Sequence, residues 1–115
     1  MLERLAFVML GVRDVERAAT FYRDALGLPM TSRFEAFAFF DTGGVKLALT
    51  SELGRDNNDF QGHECVFAVT SVARAYAALR GRIEFLNEPR PVNDVSWAVN
   101  FHDPDGHLLS LYGPQ

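Results

Sequence analysis

The chain is short of the residues that usually announce a chemistry. Its 115 residues include one cysteine, Cys65, one lysine, Lys46, and one tryptophan, Trp97. A single cysteine excludes an internal disulfide. Its apolar neighbours mark it as a buried reduced thiol, the usual state in a cytoplasmic protein. No apolar run approaches the ~20 residues that cross a bilayer, and no basic amphipathic stretch suits a membrane surface. Met1-Leu2-Glu3-Arg4 lacks the layout of a secretory signal, because acidic Glu3 stands where a basic region belongs. The arginines are scattered and the formal charge is −4. Nucleic acid is therefore not an expected partner, since its phosphates demand a Lys/Arg stripe. There is no Gly-x-Ser-x-Gly elbow for a serine nucleophile and no glycine-rich phosphate loop; Gly43-Gly44 reads as a hairpin turn.

What the chain does have is phenylalanine and self-similarity. Ten of its fourteen aromatic residues are Phe. The stretch from Phe7 to Ala18 lays over that from Glu64 to Ala75. Apolar residues match at alternate positions (Val8/Cys65, Leu10/Phe67, Val12/Val69), then a capping type (Asp14/Ser71), then Val15/Val72, Arg17/Arg74 and Ala18/Ala75. The stretch from Asp41 to Leu49 lays over that from Asp103 to Leu111. Two stretches agreeing in order at similar spacing indicate a duplicated unit. The length fits one domain, residues 1–115. Its first module covers about 1–51, a polar linker 52–62, and its second module 63–115.

Each module opens with an alternating strand, over 5–12 and 64–69. Asp14 and Ser71 cap the helices that follow. Val15, Ala18, Ala19, Tyr22, Ala25 and Leu26 keep a helical period, with Gly27 as a left-handed stop. The second helix runs over 72–80 and stops at Gly81 in the same way. Three further strands are expected in each module, at 30–34, 35–41 and 45–51, then at 82–85, 96–102 and 107–112. Asp41-Thr42-Gly43-Gly44 and Asp103-Pro104-Asp105-Gly106 are hairpin-turn signals. The expected class is α+β, two βαβββ modules in one chain.

Val12-Arg13-Asp14 leading to Ala19-Thr20-Phe21-Tyr22 and Leu26-Gly27-Leu28, together with Phe101-His102-Asp103-Pro104-Asp105-Gly106-His107, resembles the vicinal-oxygen-chelate superfamily. That group includes glyoxalase I, fosfomycin-resistance proteins, extradiol dioxygenases and bleomycin-resistance proteins. The resemblance covers nearly the whole chain. It implies that each βαβββ module forms a half-barrel, that two halves make a concave cleft, and that the chain commonly pairs as a homodimer. The enzymes of the group hold a divalent metal on inward positions of the first and last strands of each module. Carried over residue by residue, those positions are Phe7, Ala48, Glu64 and Ser110. Phe and Ala offer no donor atom, and Ser is a poor ligand for a transition metal. No metal and no other cofactor is expected. The chain is similar in character to the bleomycin-resistance branch, which sequesters a ligand without acting on it.

Strand alternation and the repeat register put Phe7, Met9, Ala48, Glu64, Ser110 and Tyr112 on the cleft face. A slip of one residue would put Val8, Leu47 and Leu111 there instead. Trp97 is a further candidate for stacking on a planar ligand, its face left open because a bulge near Val95 could flip it. Glu64 and His102 are the candidate catalytic groups. The bland readings are a solvated carboxylate for Glu64 and exposed, idle imidazoles for His102 and His107 beside their turn. His63 points away from the cleft if its strand is already regular. Phe37, Phe39 and Phe40 straddle both faces of one strand, and Phe34 has no clear side. The first reading of function is a cytoplasmic protein that binds a small, largely apolar or aromatic molecule without metal. The alternative is a lyase, isomerase or related enzyme using Glu64 with His102 or Tyr112, with or without an atypical metal site. A third reading is an interaction module with a vestigial cleft.

Overall fold

The structure, a computed structural model, describes residues 4–53 and 63–115. The expected linker lies largely outside them, as do the first three residues. The chain divides into two compact units, Met1–Asn57 and Asn58–Gln115. Each is a four-stranded mixed sheet with one helical segment on one face. The fold is α+β, built of two similar βαβββ modules.

The first unit begins with β1 (Phe7–Gly11). Asp14 follows with extended backbone, and its carboxylate accepts from the Arg17 amide at 3.2 Å. That cap satisfies one of the amides that a helix start leaves free and launches α1 (Val15–Thr20). The expected helix to Leu26 forms, but its second half widens into a π-turn over Phe21–Ala25, where the Leu26 amide reaches the Phe21 carbonyl at 3.1 Å. The wider turn keeps Tyr22 buried against the Phe40 ring, with centroids 5.9 Å apart. Gly27, at φ +75°, then ends the helix in the left-handed region that only glycine enters without strain. Strands β2 (Met30–Phe34), β3 (Phe37–Phe40) and β4 (Lys46–Thr50) complete the sheet in the order β1-β4-β3-β2. β1 runs parallel to β4, and the other pairs are antiparallel. The face against the helix carries Leu10, Leu47, Leu49, Ala38 and Phe40, all buried. Full burial of one such large side chain contributes roughly 1.5–3 kcal/mol.

The second unit repeats this plan with β5 (Cys65–Ala68), α2 (Val72–Leu79), β6 (Arg90–Pro91), β7 (Trp97–His102) and β8 (Leu108–Gly113), in the order β5-β8-β7-β6. Ser71 caps α2 by accepting from the Arg74 amide at 3.1 Å. Two further amides of that first turn are met from the far end of the chain. Val72 donates to the Pro114 carbonyl at 2.8 Å and Ala73 to the Gln115 carbonyl at 3.1 Å. Gly113 permits this docking, because a Cβ there would lie 2.1 Å from the Val69 carbonyl oxygen. Tyr76 of α2 packs on Phe85, which packs edge-on against Phe101.

Two expectations need correction here. Gly81 does not take a left-handed stop; among the described residues positive φ occurs at Gly27, Gly43, Gly106 and Gly113. The helix closes instead with Arg82 and Ile83 donating to the Leu79 carbonyl at 2.8 and 2.9 Å. The strand expected at 82–85 is absent for the same reason: those amides are spent on the turn. Only Phe85 bridges to Phe101, and the fourth strand of the sheet comes later, at Arg90–Pro91. Pro91 suits that place, an edge, where a missing amide leaves no ladder bond unmade. The two hairpin turns are one device used twice. Asp41 accepts from Gly43 at 2.8 Å, and Asp103 accepts from Asp105 and His107 at 2.9 and 2.8 Å. No helix among the described residues is long and apolar enough to cross a membrane.

Candidate functional site

In each unit one sheet face is covered by the helix and the other is turned away from it. The strand registers decide which side chains occupy the second face, because partners across a ladder point the same way.

In the first unit, Met9 pairs with Ala48, Phe39 with Ala48, Phe37 with Thr50, and Phe34 with Phe37. Phe7, two residues before Met9, shares their face. The sequence expectation that Phe7, Met9 and Ala48 lie together is thus matched in the register, while Val8 and Leu47 face the helix. Phe34, unassigned from sequence, joins this face, as do Phe37 and Phe39; Phe40 takes the opposite one. Phe39 is the hub of the cluster. Its ring meets Phe7 edge-on with centroids 5.7 Å apart and Phe34 at 6.4 Å, and stacks with Phe37 at 6.3 Å. These are favourable aromatic geometries. Phe7 remains 44% exposed and Phe34 60%, while Ala48 and Thr50 on the same face are buried.

In the second unit the corresponding face carries Val66, Ser110, Tyr112, Ala98, Asn100 and His102. Glu64, two residues before Val66, joins them through a hydrogen bond from Asn100 Nδ2 to its Oε2 at 3.1 Å. The Asn100 side-chain oxygen, Oδ1, accepts from Arg90 Nη1 at 2.9 Å and from Asn87 Nδ2 at 3.2 Å. Its backbone amide donates to Asn87 Oδ1 at 3.1 Å. With two donors on its oxygen, the carboxamide must turn its nitrogen toward Glu64. Tyr112 stands farther along this face, 39% exposed. Hydrogen bonds from Ser96 and then Asn93 hold its phenol below the usual tyrosine range. Asn93 is itself fixed, its Oδ1 accepting from the Val95 and Ser96 amides at 2.9 and 2.8 Å.

The register separates Trp97 from this group. It pairs with Gly113 and lies on the side of Val99 and Phe101, the helix side. No flip carries it to the face of Ser110 and Tyr112. His102 does lie on that face and is exposed. His107, expected to be an exposed turn residue, is 4% exposed and lies beside His63, with ring centroids 5.3 Å apart and the rings tilted by 52°. Its amide is drawn inward by the Asp103 side chain, which explains the difference. Cys65 is half-buried rather than deep in the core. Desolvation first, then the charges of Asp103 and Glu64, push its thiol above the ordinary range. A raised thiol pKa makes a poor nucleophile at neutral pH.

Sequence reasoning missed Arg90 and Asn87. The edge strand had been expected at 82–85, so nothing brought Arg90 next to Asn100.

The four positions of the resemblance's metal set do not suit a divalent ion. On the first unit's face Phe7 and Ala48 carry no donor atom; on the second unit's face only Glu64 could ligate well. Among the described residues no three His, Cys, Asp or Glu side chains gather to hold a metal.

Comparison with known proteins agrees with this architecture. The chain is 28% identical to the protein YraH of Bacillus subtilis over 124 residues, covering 95% of this chain and 97% of that one. It is 27% identical to the glutathione transferase FosA of Serratia marcescens over 115 residues, covering 97% and 82%. A glyoxalase/bleomycin resistance protein/dioxygenase family enzyme of Burkholderia phytofirmans has the same fold, with a TM-score of 0.81 at 16% identity over 98% of this chain and all of that one. The model of one family matches residues 4–111, and the chain belongs to it: the glyoxalase/bleomycin resistance protein/dioxygenase superfamily.

Proposed function

We propose that this protein binds a small, largely apolar or aromatic molecule without a metal, on the aromatic face of its first unit. The observation that carries the reading is the cluster of Phe7, Phe34 and Phe37 around Phe39 on the face turned away from the helix. Large aromatic rings left partly exposed together favour an apolar partner, because covering them releases water from each. Aromatic walls with no charged donor at their centre suit sequestration better than chelation. The test is thermal shift with 2-naphthol, run with and without Zn2+ or Mn2+. Ligand at ~100 times its dissociation constant adds roughly 2.7 kcal/mol of stability, whether or not metal is present. A shift seen only with metal overturns the reading.

A second reading, proton transfer by Glu64 with His102 or Tyr112, draws on one observation: the Tyr112 phenol is held below its usual range by Ser96 and Asn93. A glutathione transferase among the relatives keeps an enzymatic reading in view. A compound whose conversion, followed by mass spectrometry, is lost in both Glu64→Gln and Tyr112→Phe would support it; conversion unchanged in both removes it.

The lone half-buried thiol of Cys65 supports a cytoplasmic home. Val66, Leu86, Val92 and Val95, all exposed on the second unit, support pairing of two copies as a homodimer. Light scattering that finds a mass of 12.9 kDa, one chain, at tens of micromolar rules the pair out.

A further inference from the structure

Lys46 is the chain's only lysine, and its position in the sheet gives it a use. It opens β4 and pairs in register with Phe7, so its side chain rises from the same face as the aromatic cluster. Among the strand residues on that face Lys46 alone carries a charge. Arg33, the nearest strand cation in sequence, lies on the opposite face, where its guanidinium meets Glu16 of α1 at 3.4 Å. The Lys46 ammonium has no ion pair or hydrogen bond with another described residue. Its backbone is fixed, the amide donating to the Ala6 carbonyl at 3.3 Å. The face therefore presents phenylalanine at its centre and one exposed cation without an ion pair among the described residues at its rim, in a chain whose net charge is −4.

We propose that the ligand is an aromatic carboxylate, its ring on the Phe39 cluster and its carboxylate at Lys46. This rests on the reading of the aromatic face given above and narrows it to one class. The chemistry is that of any amphiphilic anion: apolar area removed from water supplies most of the affinity, and the ammonium fixes which end points to the strand edge. A neutral aromatic loses the second interaction. An aromatic amine meets like charge.

The experiment compares 2-naphthoate, 2-naphthamide and 2-naphthylmethylamine by calorimetry on the full chain and on Lys46→Gln, with circular dichroism as a check of folding. An exposed ion pair gives naphthoate a preference of about two- to fivefold over the amide. The preference disappears in Lys46→Gln, where the amide binds as before. It also shrinks between about 0.01 M and about 1 M salt, as the screening length falls from ~30 to ~3 Å. Equal binding of naphthoate and amide by the unaltered chain overturns the role of Lys46 and leaves the aromatic reading standing. Failure of all three to bind overturns the aromatic reading and this inference with it. If, in addition, the chain is a dimer by light scattering and Phe34→Glu makes it monomeric, the face belongs to a second copy instead.

Discussion

The two units share a plan and differ at its centre. Across the ladders Phe39 pairs with Ala48 as Asn100 pairs with Ser110, and Phe37 pairs with Phe34 as Ala98 pairs with Arg90. The repeat sets Phe7 over Glu64. Position by position, the triad Phe7, Phe39 and Phe34 in the first unit becomes Glu64, Asn100 and Arg90 in the second. The contacts correspond as well. Phe39 touches Phe7 and Phe34 through its ring, and Asn100 touches Glu64 and Arg90 through its carboxamide. One backbone arrangement therefore carries an apolar hub and a polar hub at equivalent places. A βαβββ unit is held together by its helix-side face, and the other face is left open to specialise.

That contrast predicts its own largest effect on the helix side, where the units should behave alike. Phe40→Ala and Phe101→Ala remove fully buried rings, and each should cost about 3–5 kcal/mol in urea unfolding. A loss under 1 kcal/mol for either would mean that its unit does not depend on this face. On the open faces the units should part company. Phe39→Ala should weaken binding of 2-naphthol at least about tenfold, the order expected when a central aromatic anchor is truncated, whereas Asn100→Ala should leave it unchanged. If both variants lose binding equally, the polar face is part of the same function.

Asn100→Ala has a smaller consequence for stability. It removes bonds to Glu64, Arg90 and Asn87, but these partners are exposed and water replaces it, so about 1 kcal/mol or less is expected. The smallest effect concerns Tyr112. A phenol whose folded pKa is depressed stabilises the fold above the unfolded tyrosine value, and that contribution is lost as pH falls through the folded value. Because Tyr112 is exposed the gain is slight and confined to alkaline pH. Ser96→Ala should move its titration, followed by ring-carbon chemical shift, back up toward the ordinary tyrosine range. An unmoved titration would show that Ser96 does not hold the phenolate.

Much of this was legible in the chain. The repeat, both helix caps, the left-handed Gly27 and the two Asp-initiated hairpins follow from local chemistry that neighbouring residues complete among themselves. The face of Phe7, Met9 and Ala48 also followed, since alternation along a strand admits only two choices. Three features were not legible. Trp97 sits at a strand start, where the sequence does not say whether a bulge shifts the parity. Phe34 ends a strand whose pairing slips between Met30 and Ser32. Arg90 belongs to a two-residue strand too short to show any period.

The sequence by itself determined the duplicated βαβββ plan and the family, because turns, caps and alternation are set within a few residues of one another. It also determined that two of the four positions to which the resemblance carries a metal set are Phe7 and Ala48, side chains with nothing to donate. Only the tertiary structure decided which side chains gather around them. Gathering Phe7, Phe34, Phe37 and Phe39 into one cluster, and hanging Glu64 and Arg90 on Asn100, required strands distant in sequence to meet in a fixed register. Register is a property of paired strands, and no single strand encodes it.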